Sequence, residues 1–240
     1  GIDLSRSQGQ YEVSKTTSYA GSAILAARGH LAALQWARDT YRSRFGLPKY
    51  AGIMAARYGH LEVLQWLCAN GCPCGDSTFC AAVQGGHVAI LVYLQGHPRA
   101  ESDYCALAAM YGRLEALQWL RRKGCRWGEY TCSMAASYGH LEVLRWLHGQ
   151  SPPCPWDAQA CTRAAEGGHL AVLEWLHAAG CPWDERTCAR AAICGHLDVL
   201  QWAYDHGCPL GTTVYANAAM VGRPEIMQWL RDNNCPMPNH

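Results

Sequence analysis

Apolar residues recur along the chain in short stretches at helical spacing. In the stretch HLEVLRWL, Leu141, Leu144 and Leu147 follow one another at intervals of three residues. Glu142 lies in the first turn, where a negative charge is favoured by the helix dipole. A short Ala-rich stretch such as TCARAAIC precedes each segment of this kind, and a Gly with Pro two residues later closes several of them. The pattern predicts pairs of short helices joined by a tight turn.

The predicted helix pairs recur with a period of about 27 residues. In every copy a glycine followed by His or Arg separates the two helices, and an aromatic residue stands seven positions after that glycine. Because one helix pair cannot bury its apolar face alone, successive pairs must stack side by side. The predicted fold is an all-α solenoid of eight helix-turn-helix repeats. The glycines are Gly29, Gly59, Gly86, Gly112, Gly139, Gly168, Gly195 and Gly222, and the aromatic residues are Trp36, Trp66, Tyr93, Trp119, Trp146, Trp175, Trp202 and Trp229.

The repeat pattern also predicts the domain organisation. Residues 1–17 form a polar N-terminal segment or cap, and residues 18–240 form a single repeat domain. Asp76, Asp157 and Asp184 stand where an N-cap would open a first helix. Repeat one has a longer linker and repeat eight a polar tail, as expected of solenoid ends that face water. The predicted repeats span about residues 18–47, 48–75, 76–100, 101–127, 128–156, 157–183, 184–210 and 211–240.

Charge and composition narrow the classes of function. The 20 basic and 19 acidic residues leave a net charge of +1, which argues against a nucleic-acid or membrane-surface partner. No apolar run is long enough to cross a bilayer and the first residues lack the apolar core of a signal peptide, so we expect a soluble, cytoplasmic or otherwise intracellular protein. The 14 cysteines occur in a chain rich in Leu, Ala and Trp, which favours reduced thiols over a disulfide framework. We expect a monomer without a cofactor.

The run AAxxGHLEVLxWL followed by Gly-Cys resembles the ankyrin repeat. Ala55, Ala56, Gly59, His60 and Gly71 carry it in repeat two, and the likeness covers roughly residues 18 to 238. An ankyrin repeat has about 33 residues, and the residues missing from each copy lie between Gly-Cys and the next first helix. The resemblance places the β-hairpin fingers of ankyrin repeats in that segment, so we predict short linkers without β-hairpins. Short divergent repeats of this kind resemble those of giant viruses and unicellular eukaryotes, and a viral protein would be expected inside the host cell.

Repeated cysteines and histidines suggest a metal or small-ligand site. Zinc sites favour cysteines closer together than Cys-x6-Cys, so we interpret the cysteines as small buried hydrophobes and predict no metal site. We interpret the histidines as residues that bond backbone atoms near the inter-helix turn. Cys194, just before a glycine, is expected to be more exposed. The cysteine pairs are Cys125 with Cys132, Cys154 with Cys161 and Cys181 with Cys188, and the histidines are His140, His169 and His196.

Three tryptophans in the linkers present a similar choice. Trp127, Trp156 and Trp183 would either form an aromatic strip for a ligand or pack between adjacent repeats, and their periodicity favours packing. No nucleophile elbow, phosphate-binding loop, dinucleotide fingerprint or zinc-protease motif occurs, so no residue is predicted to be catalytic and the protein is not expected to be an enzyme.

The resemblance implies that the concave surface lined by first helices binds a partner. We expect residues one, five and eight positions before each glycine to form a stripe on that surface, or else to fill gaps between neighbouring helices. Tyr, Met and Arg are enriched at protein interfaces. The sequence therefore favours a protein-interaction scaffold, with a small-ligand or metal binder as the alternative. The candidate partner-binding residues are Met54, Tyr58, Tyr104, Leu107, Tyr111, Met134, Tyr138, Arg163 and Arg190.

Overall fold

The computed structural model describes residues 20–41, 47–95, 103–233 and 235. Within these residues it contains sixteen helices and no strand. The predicted N-terminal segment 1–17, most of the long linker of repeat one and the end of the polar tail lie outside the described residues. The helices are α1 (20–27), α2 (Leu31–Tyr41), α3 (Lys49–Arg57), α4 (Leu61–Ala69), α5 (Asp76–Gly85), α6 (Val88–Leu94), α7 (Tyr104–Met110), α8 (Leu114–Arg122), α9 (Glu129–Ser137), α10 (Leu141–His148), α11 (Ala158–Glu166), α12 (Leu170–Ala178), α13 (Glu185–Cys194), α14 (Leu197–Asp205), α15 (Thr213–Met220) and α16 (Pro224–Asp232).

The helices group into two compact units. The described residues up to Tyr104 belong to the N-terminal unit, and those from Cys105 onward belong to the C-terminal unit. In the C-terminal unit the first helices α9, α11, α13 and α15 pack in series, and the second helices α10, α12 and α14 form a parallel series beside them. In the N-terminal unit α3 packs on α5, and α2 on α4. The predicted all-α solenoid of helix pairs is confirmed.

Small side chains allow the first helices to approach one another closely. Ala135 and Ala136 of α9 are fully buried, as are their counterparts in the neighbouring first helices. The second helices supply the bulk of the core through residues such as Leu144 and Leu147, which are also buried. Branched residues therefore fill the space that the alanines leave open, and neither helix of a pair buries its apolar face without the other.

The described linkers between repeats are short and contain no strand. Asp157 opens α11 by accepting a hydrogen bond from the Gln159 backbone N–H at 3.0 Å, and Asp184 opens α13 in the same way. These N-caps are confirmed, and so is the absence of β-hairpin fingers from the described linkers. The prediction for Asp76 was wrong because Gly75 is the N-cap of α5 and Asp76 is already the first helical residue. The Asp76 carboxylate instead accepts a hydrogen bond from the Tyr104 hydroxyl.

In six of the described repeats the residue after the repeat glycine ties that repeat to the one before it. The Nε2 of His169 donates to the Ser137 carbonyl oxygen at 3.1 Å, and Ser137 ends the first helix of the preceding repeat. The role predicted for the histidines is confirmed, with the detail that the acceptor belongs to the neighbouring repeat. Equivalent bonds join His60 to Ala27, His87 to Arg57, His140 to Met110 and His196 to Glu166, and Arg223 replaces the imidazole by donating to Cys194.

The same imidazole explains why the turn residue is glycine. Gly168 has a φ of +72°, a backbone conformation that side chains disfavour. A Cβ atom on Gly168 would also lie 2.5 Å from Nδ1 of His196, which packs flat over the turn. Gly222 has a similar φ of +65°, but no described atom lies within 4 Å of where its Cβ would stand. The glycine therefore satisfies two separate constraints, one local and one between repeats.

The two constraints are separable by mutation. We expect Gly222→Ala to cost about 1–2 kcal/mol from left-handed strain alone. Gly168→Ala carries the same strain and must also displace the His196 ring, at a further cost of about 1–3 kcal/mol. Urea unfolding followed by circular dichroism measures both free energies, and equal losses for the two variants would contradict the inter-repeat contact.

Candidate partner-binding surface

The first helix of repeat five presents an exposed aromatic face. Tyr130 and Tyr138 are 58% and 48% exposed, at positions nine and one before Gly139, and the half-buried Met134 lies at position five between them. Tyr130 and Met134 are four residues apart on α9, so they occupy one side of the helix. We call Tyr130, Met134 and Tyr138 the α9 face.

The first helix of repeat two carries the same three residue types in the same register. Tyr50 and Tyr58 are each 54% exposed and Met54 is half-buried. We call these residues the α3 face. Of the other sequence candidates, Leu107 is half-buried on α7 and Tyr111 is exposed just after it. Tyr50 and Tyr130 were missed by the sequence analysis, which did not consider position nine.

Position eight before the glycine faces the core. Tyr104 is buried, with its ring 4.8 Å from that of Phe79, and Thr131 and Thr187 are also buried. Position eight is one helical turn from position four, where the buried alanines lie, so the two positions share the inner face. The sequence analysis placed position eight on one outer stripe with positions one and five. Position one is the C-cap, as at Tyr138, and its backbone no longer has helical geometry. It is therefore a poor guide to which side of the helix faces solvent. Tyr104 is therefore excluded from the candidate surface.

The two candidate arginines share one acidic neighbour. Arg163 pairs with Glu166 at 2.8 Å, and Arg190 approaches the other oxygen of the same carboxylate at 3.9 Å. Both arginine side chains remain roughly half exposed. Glu166 was not among the sequence candidates, although it lies only three residues from Arg163. The surface of α11 and α13 is thus a mixed cluster with an excess of one positive charge over these three groups.

The buried cysteines pair within a repeat. The thiols of Cys161 and Cys181 are hydrogen-bonded to each other, and the Cys181 Sγ also faces the Asp157 carbonyl oxygen at 3.5 Å, at the N-cap of the same repeat. Cys-x6-Cys neighbours in sequence therefore belong to different pairs. The predicted burial is confirmed for all of these cysteines except Cys125, which is half-buried. The pairs are Cys132 with Cys154, Cys161 with Cys181, and Cys188 with Cys208.

Pairing and burial suppress the reactive thiolate form of one cysteine in each pair. The hydrogen bond to Cys154, and then burial, raise the pKa of Cys132, and the pKa values of Cys161 and Cys188 rise for the same reasons. Within the described residues no three His, Cys, Asp or Glu side chains are arranged to hold a metal ion. The histidines that would complete such a site are bonded to backbone carbonyls instead.

One cysteine pair is oxidised. Cys68 and Cys74 form a disulfide across Cα atoms 5.9 Å apart, so the expectation of reduced thiols was wrong for this pair. Helix α4 ends at Ala69 and the chain reverses at Gly71, which has a φ of +89°, so position 74 returns beside position 68. The two residues lie in one helix terminus and its following turn, which only the folded backbone brings together.

The linker tryptophans pack between successive repeats, as predicted. The Trp156 ring stacks on His148 with centroids 4.4 Å apart and meets the edge of Trp175, in the next repeat, at 5.8 Å. Trp183 makes the same two contacts one repeat later, with His177 and Trp202. Trp127 lies between the Arg121 guanidinium and Trp146. These rings are half-buried and form part of the contact between repeats.

The family model for ankyrin repeats (many copies) matches residues 105–148 and 132–177. Residues 105–177 therefore consist of ankyrin repeats. The matched ankyrin repeats contain the α9 face and Arg163. A search of curated proteins found no match. No helix in the described ranges is long and apolar enough to span a membrane.

The thiols of this ankyrin repeat protein should differ sharply in reactivity. Nine of its free cysteines are buried and three, Cys80, Cys125 and Cys194, are half-buried. We expect a native thiol titration to detect no more than those three quickly, because the other nine thiols are buried. Denaturant without reductant should release the twelve free thiols, and added reductant all 14. Fast native reaction of the buried pairs, or 14 thiols without reductant, would contradict this assignment.

The stability of the ankyrin stack should fall in mild acid. Burial lowers the pKa of His140 below its ordinary value of 6.5, although the bond to the Met110 carbonyl opposes the shift. As pH falls through that ordinary value, the unfolded chain binds the proton before the folded chain does, so the free energy of unfolding decreases. Above it both states are neutral and the effect vanishes.

Arginine stands at the equivalent position in two repeats. The variant His140→Arg therefore keeps a hydrogen-bond donor but has no side chain that changes its charge in mild acid. We expect the wild type to lose more stability than His140→Arg between about pH 8 and about pH 5. Parallel urea unfolding series of the two proteins measure the difference, and superimposable pH profiles would show that His140 contributes nothing.

Proposed function

We propose that the protein is a protein-interaction scaffold that binds its partner through the exposed side of its first helices. Ankyrin repeats generally mediate protein–protein interactions and are generally scaffolds without catalytic activity. The single observation that carries the proposal is the exposure of tyrosines on the α3 and α9 faces. Solvated tyrosine rings arranged around a methionine are typical of an interface and contribute little to a core.

The short linkers support the same choice of surface. Without β-hairpins a repeat offers a partner its first helix, its second helix and a few linker residues. The linker tryptophans stack on residues of their own and the next repeat, so much of their area is already used. The second helices pair with their neighbours through Trp and His rings along the same side. Five of the seven exposed tyrosines in the described residues lie on or at the end of first helices: Tyr50, Tyr58, Tyr111, Tyr130 and Tyr138.

Charge on the neighbouring helices constrains the partner further. Arg163 and Arg190 flank Glu166 beside the α9 face, and each retains exposed donors. Polar groups at the rim of an interface set register and association rate more than affinity. We infer a partner that places apolar side chains against Tyr130 and Met134 and an acceptor-rich stretch against the two arginines.

Replacing the candidate tyrosines separates binding from folding. The triple variant Tyr58→Ala, Tyr111→Ala, Tyr138→Ala removes one exposed ring from each of three repeats. We expect each substitution to change stability by no more than about 0.5 kcal/mol, because the rings are exposed. Loss of one hot-spot contact worth about 2 kcal/mol should weaken partner binding about thirtyfold. Affinity capture from source-cell extract identifies the partner, and titration calorimetry then measures its affinity.

Tyr41→Ala is the matched control, because Tyr41 is 52% exposed but lies on a second helix. It should leave partner binding unchanged. The proposal fails if the triple variant binds as the wild type does, or if Tyr41→Ala weakens binding equally. A melting temperature far below that of the wild type would show instead that the three rings belong to the core.

A further inference from the structure

Basic side chains are concentrated at the end of the second helix of repeat four. Helix α8 ends at Arg122, and the stretch RRKGCRWGE, residues 121–129, holds four basic residues and one acidic residue. Arg122, Lys123 and Arg126 are exposed and Arg121 is half-buried. We call these four residues the α8 patch. None of them forms an ion pair with a carboxylate in the part of the chain that the structure describes.

The repeat fold does not require this charge. A cation in the last turn of a helix is favoured by the helix dipole, but repeats two and six form the same left-handed turn at Gly71 and Gly180 without a Lys or Arg near it. The local fold therefore does not account for the α8 patch. The residues at the four corresponding positions are Cys68, Ala69, Asn70 and Pro73 in repeat two, and His177, Ala178, Ala179 and Pro182 in repeat six.

The backbone after α8 brings the four basic residues together. The Cys125 backbone N–H donates to the Leu120 carbonyl oxygen at 3.0 Å, so the chain turns back at Gly124 and Arg126 follows beside the last turn of α8. Arg121 in that turn donates in the opposite direction, to the Cys125 carbonyl oxygen at 3.4 Å. The helix end and the linker therefore present their charges as one surface.

Aromatic rings hold two of these cations in place. The Arg121 guanidinium lies 4.1 Å from the centroid of the Trp127 ring, and that ring is fixed in turn against Trp146 of the next repeat at 5.7 Å. The Lys123 ammonium lies 5.7 Å from the Trp119 ring. An aromatic ring covers the face of a guanidinium group and leaves its in-plane N–H groups able to donate. Cations ordered in this way lose less conformational entropy when they bind a ligand.

The positive charge is confined to one repeat. Arg145, on α10 of the next repeat, is paired with Glu142 at 3.1 Å, and residues 149–156 include no Lys, Arg, Asp or Glu. Glu129, exposed in the first turn of α9, follows the patch in sequence. A nucleic-acid backbone gains its affinity from cations that contact many successive phosphates. A patch of this size is better matched to a short anionic segment of a protein.

We propose that the α8 patch binds a segment of a partner protein in which several aspartate or glutamate residues lie close together. Arg122, Lys123 and Arg126 donate to its carboxylates, and guanidinium groups suit this contact because they form paired, charge-assisted hydrogen bonds with carboxylates. The patch belongs to a second helix and the linker after it. It is therefore a contact surface in addition to the first-helix faces, and it does not depend on their tyrosines.

A peptide of alternating Glu and Gly is the probe, with a peptide of alternating Gln and Gly as its neutral counterpart. Titration calorimetry at low ionic strength should show binding of the Glu peptide alone, and added salt should weaken that binding. The triple variant Arg122→Gln, Lys123→Gln, Arg126→Gln should bind the Glu peptide about tenfold or more weakly. It should melt as the wild type does, because the three side chains are exposed.

The matched control is the triple variant Arg28→Gln, Lys49→Gln, Arg57→Gln. It removes three exposed cations from the N-terminal unit and lowers the net charge by the same amount, so it should bind the Glu peptide as the wild type does. Equal weakening in both triple variants overturns the proposal, and so does a wild type that does not bind the Glu peptide or binds the Gln peptide equally well.

A third probe tests the class of partner. If an oligouridylate with the same number of charges binds the wild type more tightly than the Glu peptide does, the partner is a nucleic acid and the proposal is wrong. None of the probes carries an apolar side chain of the kind inferred to contact the α9 face. Failure of the first-helix proposal and failure of this one are therefore distinguishable.

Discussion

The imidazole that lies across the turn of the preceding repeat governs how this chain is built. The longest described helix has 11 residues and several have seven or eight, lengths at which an isolated helix is marginal in water. Their stability must come from packing against neighbours. The bond from a ring such as His196 to the Glu166 carbonyl fixes the register of that packing, since the ring fits over the turn only when the residue beneath it is glycine. Left-handed glycine, ring and carbonyl acceptor therefore recur together.

Thiols close the opposite end of repeats two, five, six and seven. A cysteine after the second helix faces the carbonyl at the N-cap of the first helix, as Cys208 does at Asp184 and Cys154 at Gly128. The contact of the imidazole with the turn glycine joins two repeats, whereas the contact of the thiol with the N-cap carbonyl lies within one repeat. Small buried thiols suit this position because they fill the space beside alanine and also donate a weak hydrogen bond to the carbonyl oxygen. Cysteine frequency in this ankyrin protein thus reflects packing, and the oxidised pair Cys68 and Cys74 lies apart from this pattern.

The turn residues, the buried thiols and the linker tryptophans all contact other residues of the stack. Few of them remain available to contact a partner. The outer arc of each first helix is the main exception, and there residue identity varies between repeats from tyrosine and methionine to arginine. Variation on an otherwise repetitive scaffold lets one fold recognise different partners.

The sequence by itself determined the features that depend on local spacing. The glycine period, the two helices of each repeat, the N-caps at Asp157 and Asp184 and the lack of room for β-hairpins all follow from the chemistry of neighbouring residues. The tertiary structure alone decided which residues meet across repeats. It assigned each imidazole to the preceding turn, paired Cys161 with Cys181 rather than with Cys154, and turned Tyr104 inward while Tyr130 stayed in solvent. The reason is that helical periodicity fixes the relative direction of side chains on one helix, whereas the neighbour that covers them is set by the stacking of helices distant in sequence.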